Sequence, residues 1–166
     1  MINEKRKQPW WTPIALVLLS PVIFGLLLLV IPLALCYFIY GALLHALIWV
    51  WWNSQGRDIL FVYSDSPIWQ EYVENHFLPL LSSRAVILNW SDRKRWHFSL
   101  STLAFRYFGG QEEFNPMAIV FRPMRSARVF RFWKPFKDFK HGNPEALKEI
   151  EKDFFQLIGA PYQPAA

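Results

Sequence analysis

The sequence predicts an α/β domain, a central sheet with helices on both faces, preceded by two membrane helices. Three observations carry this. Residues 14–52 contain no Asp, Glu, Lys or Arg. From residue 56 onward, short runs rich in β-branched and aromatic residues alternate with stretches of helical periodicity. The hydrophobic share is 53% for the whole chain, but it is concentrated in the first third. The expected organisation is a basic tail at 1–13, a membrane helical hairpin at 14–55, a soluble domain at 56–160 and a short tail at 161–166.

The uncharged run is 39 residues long. About 20 residues cross a bilayer core. One continuous helix of the run would extend roughly 58 Å at about 1.5 Å per residue. Pro32 lies near its middle and removes a backbone donor. Two helices, 14–31 and 33–52, joined near Pro32, are therefore expected. Trp10 and Trp11 precede the run and Trp49, Trp51 and Trp52 close it. Indoles favour the headgroup layer, so these five are expected interfacial anchors. Lys5, Arg6 and Lys7 flank the first segment and Arg57 follows the second. With a hairpin, the positive-inside rule places both termini and the soluble domain on the cytoplasmic side of an inner or plasma membrane. His45 is the one imidazole in the run. With no second titratable group beside it for a proton relay, it reads as a neutral packing residue.

Residues 58–64 (DILFVYS) read as a buried strand. Ser66 and Pro67 then resemble an N-cap and first helical position. Ile68, Trp69, Tyr72, Val73, Phe77 and Leu80 keep helical spacing until Pro79. Residues 85–89 (AVILN) form a second strand. Ser91 and Asp92 can cap a helix running to Phe108, which Gly109 and Gly110 stop. Residues 117–122 and 127–133 read as an antiparallel pair across the turn 123–126. Trp133 to Phe139 (WKPFKDF) looks too irregular for a strand. Residues 144–157 form a last amphipathic helix, capped by Asn143 and ended by Gly159.

The order strand, helix, strand, helix, strand, strand, helix resembles the thioredoxin-like superfamily. The likeness rests on the segment Asp65-Ser66-Pro67-Ile68 after the first strand, where that family places Cys-x-x-Cys, and on Asn115-Pro116 before the third. It implies a cleft formed by Ser64, Asp65, Ser66, Pro67, Asn115 and Pro116. Both family cysteines are missing. The single cysteine, Cys36, sits in the apolar run. Thiol-disulfide exchange needs a low-pKa thiolate and a resolving thiol, so it is excluded for this domain. A serine without a paired base does not replace a thiolate. Helix capping is the plainer reading of Ser64 to Ser66.

His76, His97 and His141 lack metal-ligand spacing, and no phosphate loop or nucleophile elbow is present. No metal or cofactor is expected. The net charge is +5. Arg122, Arg125, Arg128, Arg131, Lys134, Lys137 and Lys140 fall at every third position, interleaved with aromatics that include Trp133 and Phe136. A period of three does not stay on one face of a strand. The charge still gathers around the last hairpin, where it suits an anionic lipid surface or a partner protein. A solvated basic surface over an apolar core is the plainer alternative. Nucleic acid is not an expected partner, because no recognition module is present.

The function expected from these features is a membrane-anchored, non-redox binding module. It would be an accessory or assembly subunit that contacts the bilayer and a membrane protein. Two other classes remain open at this level. One is an enzyme acting on a lipid-linked or thiol-bearing small molecule in the cleft. The other is a binder of anionic lipid surfaces.

Overall fold

The computed structural model describes residues 12–110 and 115–161, with side chains from residue 19 onward. It comprises two compact units, Met1–Ala42 and Leu43–Ala166. Trp10 and Trp11 lie outside the described residues.

The first unit is helical. Helix α1 runs over Thr12–Asn53 without a break and contains Pro21 and Pro32. The expected pair of helices is thus one helix. Pro32 withholds one donor, at a cost of about 3 kcal/mol. A chain reversal there would strip several backbone groups of their partners, each costing several kcal/mol where no water can replace them. The sequence LLLLVIPLALC around Pro32 also supplies no Gly, Asn, Asp or Ser to build a turn. From Leu19 to Asn53 the helix is long and apolar enough to cross a membrane, with a mean hydropathy of 2.8. Its large side chains from Leu19 to Tyr40 are exposed.

The second unit begins inside α1. Leu44, Ile48 and Trp52, spaced i, i+4, i+8 on one helical stripe, are buried. They join Leu60, Val62, Met117, Ile119 and Phe121 in one of the two cores of this unit. Trp52 meets Phe121 edge-on with ring centroids 5.6 Å apart. Trp52 is therefore a core residue rather than an interfacial anchor, whereas Trp49 and Trp51 are exposed. His45 sits at 5.6 Å from the Phe121 ring and 5.9 Å from that of Phe108. Its Nε2 lies 3.1 Å from the Arg122 carbonyl. A carbonyl only accepts, so Nε2 carries the proton and donates.

Among the described residues the sheet has four strands: β1 (Ile59–Tyr63), β2 (Ala85–Asn89), β3 (Met117–Val120) and β4 (Arg128–Arg131). Their spatial order is β2-β1-β3-β4. β1 and β2 are parallel, with Ile59 opposite Ala85. β3 is antiparallel to both β1 and β4. Alternation along β1 divides the two cores. Leu60 and Val62 face α1, whereas Ile59 and Phe61 face Val73, Phe77, Phe132 and Phe154.

The β1–β2 connection holds α2 (Gln70–Tyr72), a π turn (Val73–Phe77) and α3 (Leu78–Leu81). The π turn bonds the Leu78 N–H to the Val73 carbonyl and shifts the register just before Pro79. The missing Pro79 donor is thereby absorbed inside a continuous helical path. The helix proper starts at Gln70, and no side chain caps it. Ser66 contributes its backbone carbonyl instead, accepting from Trp69 and Gln70.

After β2, residues Trp90–Arg95 make a 3-10 segment, and α4 spans Leu100–Phe108. Ser91 and Asp92 thus do not cap α4. Ser99 does: its hydroxyl accepts from the Thr102 N–H, and the Thr102 hydroxyl accepts from the Ser99 N–H. This reciprocal pair satisfies two helix-end donors. Ser99→Ala is expected to lower stability by about 1 kcal/mol, read as a lower thermal midpoint of the full chain in mild detergent. An unchanged midpoint would show that the box contributes nothing.

Two helices close the chain, α5 (Trp133–Lys140) and α6 (Glu145–Ile158). The segment that looked too irregular for a strand is helical. Its apolar stripe explains this, because Phe136 is buried against Tyr72 with rings 4.8 Å apart. α6 ends as expected at Gly159, which takes φ +67°.

Candidate functional site

The expected cleft lies at the end of the sheet where β1 and β2 both finish. The β1–β3 ladder closes at Val62 opposite Met117. Asn115 and Pro116 therefore stand at the strand end from which the Ser64–Pro67 turn leaves. Open α/β sheets place ligands at the carboxyl ends of their parallel strands.

The turn is tied to β2 by a closed set of bonds. Asn89 Nδ2 donates to Asp65 Oδ1 at 2.7 Å. Asn89 Oδ1 accepts from the Ser91 N–H at 2.9 Å, and Ser91 Oγ accepts from the Asp65 N–H at 3.0 Å. Ser64 Oγ accepts from Trp69 Nε1 at 3.3 Å. Asp65 thus holds the two strand ends together, while Ser64 fastens the turn to Trp69. Asn115 is buried, and its Oδ1 has no hydrogen-bond partner among the described residues.

The electrostatics of this end disfavour an anion. Burial first, then the charges of Glu74, Asp65 and Asp92, push the Tyr63 hydroxyl above its ordinary value. A site that resists one negative charge resists another.

A hollow of about 270 Å³ opens beside the turn. Pro67 and Ile68 line it together with Tyr72, His76, Phe139 and Lys140. The Tyr72 and His76 rings are 4.5 Å apart. Behind them the Tyr72 hydroxyl donates to Glu151 Oε1 at 2.7 Å. Glu151 is buried. Desolvation pushes its carboxyl up to about 7, against the downward pull of the Tyr72 bond. Sequence reasoning missed this group. One signal was available: Glu151 lies four residues after Leu147 and three before Phe154, on the apolar stripe of α6.

The seven basic residues do not form one surface. Arg122 donates to the Leu157 carbonyl, and Arg131 Nη2 donates to the Gly109 carbonyl at 2.9 Å. Both serve the last turns of helices, where carbonyls lack partners. Arg128 lies 3.9 Å from Asp153 and stacks 5.0 Å from the Phe130 ring centroid. Arg125 is exposed at the β3–β4 turn. Lys134, Lys137 and Lys140 belong to α5, which starts from the opposite end of β4. Lys137 sits over the Trp133 ring at 5.5 Å. Phe136, expected at a contact surface, is in the core.

Among the described residues, no three His, Cys, Asp or Glu side chains converge as a metal site would require. No family model, no curated protein and no solved structure matches the chain.

Proposed function

We propose that this chain is a membrane-anchored binding module with a thioredoxin-like, redox-inactive domain, acting as an accessory or assembly subunit of a membrane protein complex. The observation that carries this reading is the double use of α1. Its first part is apolar and exposed, and its last turns are buried core of the folded unit. A flexible tether needs no such continuity.

The helix length supports the same reading. The part of α1 from Leu19 to the boundary at Ala42 is about 24 residues, roughly 36 Å, which suits one tilted crossing. The thioredoxin-like part is supported by the strand and helix order, with α5 added, and by Asn115-Pro116 directly before β3. Ser64 and Asp65 are engaged by the Trp69 indole and the Asn89 amide, and among the described residues no base bonds to Ser64 to activate it.

A single crossing puts the two termini on opposite faces of the membrane, unlike a hairpin. Lys5, Arg6 and Lys7 precede α1, whereas Arg57 alone follows it closely, so by the positive-inside rule we place the amino terminus in the cytoplasm and the folded unit on the opposite face. Protease added to the outer face of sealed membranes is then expected to remove a carboxyl-terminal tag and spare an amino-terminal one. Equal protection of both tags would restore the hairpin.

The assembly role is tested with a photo-crosslinking residue at Phe38 or Leu29, both exposed on α1. The expected result is a discrete adduct with one membrane protein from either position. A monodisperse monomer in mild detergent, with lipid as its sole adduct, would sink this reading.

A further inference from the structure

The β3–β4 turn combines three features that the cleft does not explain. The first is position. The folded unit begins at Leu43, and His45, two residues on, donates to the carbonyl of Arg122 at 3.1 Å. The turn that follows Arg122 therefore stands where α1 enters the unit. Trp49 and Trp51 are exposed on the same stretch of helix, within about 6–9 Å of His45 along the axis. Exposed indoles at that height belong in a headgroup layer.

The second feature is Met124. Its side chain is entirely exposed, and its φ is +58°. Left-handed backbone is uncommon for a residue with a side chain, and Asn or Gly fits it more readily. A long apolar side chain held out at a turn tip has no role in either core.

The third is charge. Arg122, Arg125, Ser126 and Arg128 line a hollow of about 240 Å³ at the base of the turn. A neighbouring hollow shares Arg122 and Arg128 and adds Asp153 and Gln156. Asp153 offsets Arg128 loosely, since their 3.9 Å pair is half-exposed on both sides. Guanidinium groups suit phosphodiester oxygens because their planar donors match two acceptors at once.

We propose that the β3–β4 turn is a lipid-docking element. Met124 enters the boundary between headgroups and acyl chains, and Arg125 and Arg128 hold the phosphodiester of an anionic phospholipid, while Arg122 stays bonded to the Leu157 carbonyl at the base of the turn. The element fastens the folded unit to the bilayer surface at a second point, after α1. This rests on the membrane-anchored reading above and extends it to a specific lipid contact.

The test uses the full chain in lipid nanodiscs, with Cys36→Ala and one new cysteine carrying an environment-sensitive fluorophore. Labels go at Met124, at Leu29 within the apolar part of α1, and at Lys148 on exposed α6 surface. Nitroxide-bearing lipids serve as quenchers while phosphatidylglycerol is titrated into phosphatidylcholine. The Leu29 label is expected to be quenched in every lipid, and the Lys148 label in none. Quenching at Met124 is expected to rise with phosphatidylglycerol. Arg125→Gln is expected to raise the phosphatidylglycerol fraction needed for half-quenching about fivefold.

A Met124 label that behaves like the Lys148 label while Leu29 is quenched overturns the docking and leaves the anchor standing. Loss of quenching at Leu29 overturns the anchor itself. Equal quenching at Met124 in phosphatidylcholine alone overturns the phosphate contact. Release of Met124 from lipid by dissolved glycerol phosphate identifies a soluble phosphate ligand and overturns the lipid assignment.

Discussion

Replacing Ile48 by alanine is expected to destabilise the folded unit by about 2–5 kcal/mol. Ile48 belongs to a run whose composition assigns it to lipid, yet its side chain is 0% exposed. It packs with Leu44 and Trp52 on the face of the sheet formed by Leu60, Val62, Met117 and Ile119. Truncation leaves a cavity among β-branched, aromatic and leucine side chains that cannot all collapse into it. Val50, two residues on, is 61% exposed. Val50→Ala is expected to change stability by less than about 0.5 kcal/mol. The comparison is made by thermal unfolding of the full chain in mild detergent, followed by tryptophan fluorescence. If both variants melt with the wild type, α1 does not contribute to the core, and the double use of the helix fails. A fragment beginning at Gly56 lacks all three buried α1 residues, so its exposed sheet face is expected to drive aggregation.

Raising the pH from about 4.5 to above 7 is expected to weaken the folded unit through Glu151. This carboxyl is 3% exposed and titrates at about 7 in the folded state, against 4.5 for the ordinary group. Between those values the native state binds the extra proton, so stability falls as pH rises. The Glu151 contribution is complete below about 4.5 and lost above about 7. The full change amounts to roughly 3 kcal/mol. Glu151→Gln keeps an acceptor for the Tyr72 hydroxyl and removes the charge. Its stability is expected to match the wild type near pH 4.5 and exceed it at pH 8. Denaturant midpoints measured across that range decide the matter. A wild-type profile that does not decline between these limits, or that Glu151→Gln leaves unchanged, would remove Glu151 as its source.

Legibility differed sharply between parts of the chain. β2 matches its reading residue for residue, because AVILN is short, β-rich and bounded by turn residues. Gly159 ends α6 as expected, since its αL position suits a residue without a side chain. Helix starts were read less well. Ser66 and Ser91 carry the right side chains, but the capping bonds are made by Ser99 and Thr102. Cap chemistry is shared by many serines, and the path of the chain selects among them. The basic row was legible as a composition and not as a surface. Arg122 and Arg131 turn inward to helix carbonyls, while β4 sends the lysines of α5 to the other end of the sheet.

By itself, the sequence determined that a long uncharged segment precedes a mixed α/β unit, and that this unit has no thiol chemistry. Both follow from residue type and local periodicity, which are properties of short windows. Tertiary structure alone decided that α1 continues through Pro32 and that Leu44, Ile48 and Trp52 are core. The physical reason is that an apolar residue is equally content in lipid or against a sheet. Its hydrophobicity states that it leaves water, and only the partner surface determines where it goes. Glu151 is the converse case. Its charge says it should stay in water, and only the packing of α6 against Tyr72 takes it out.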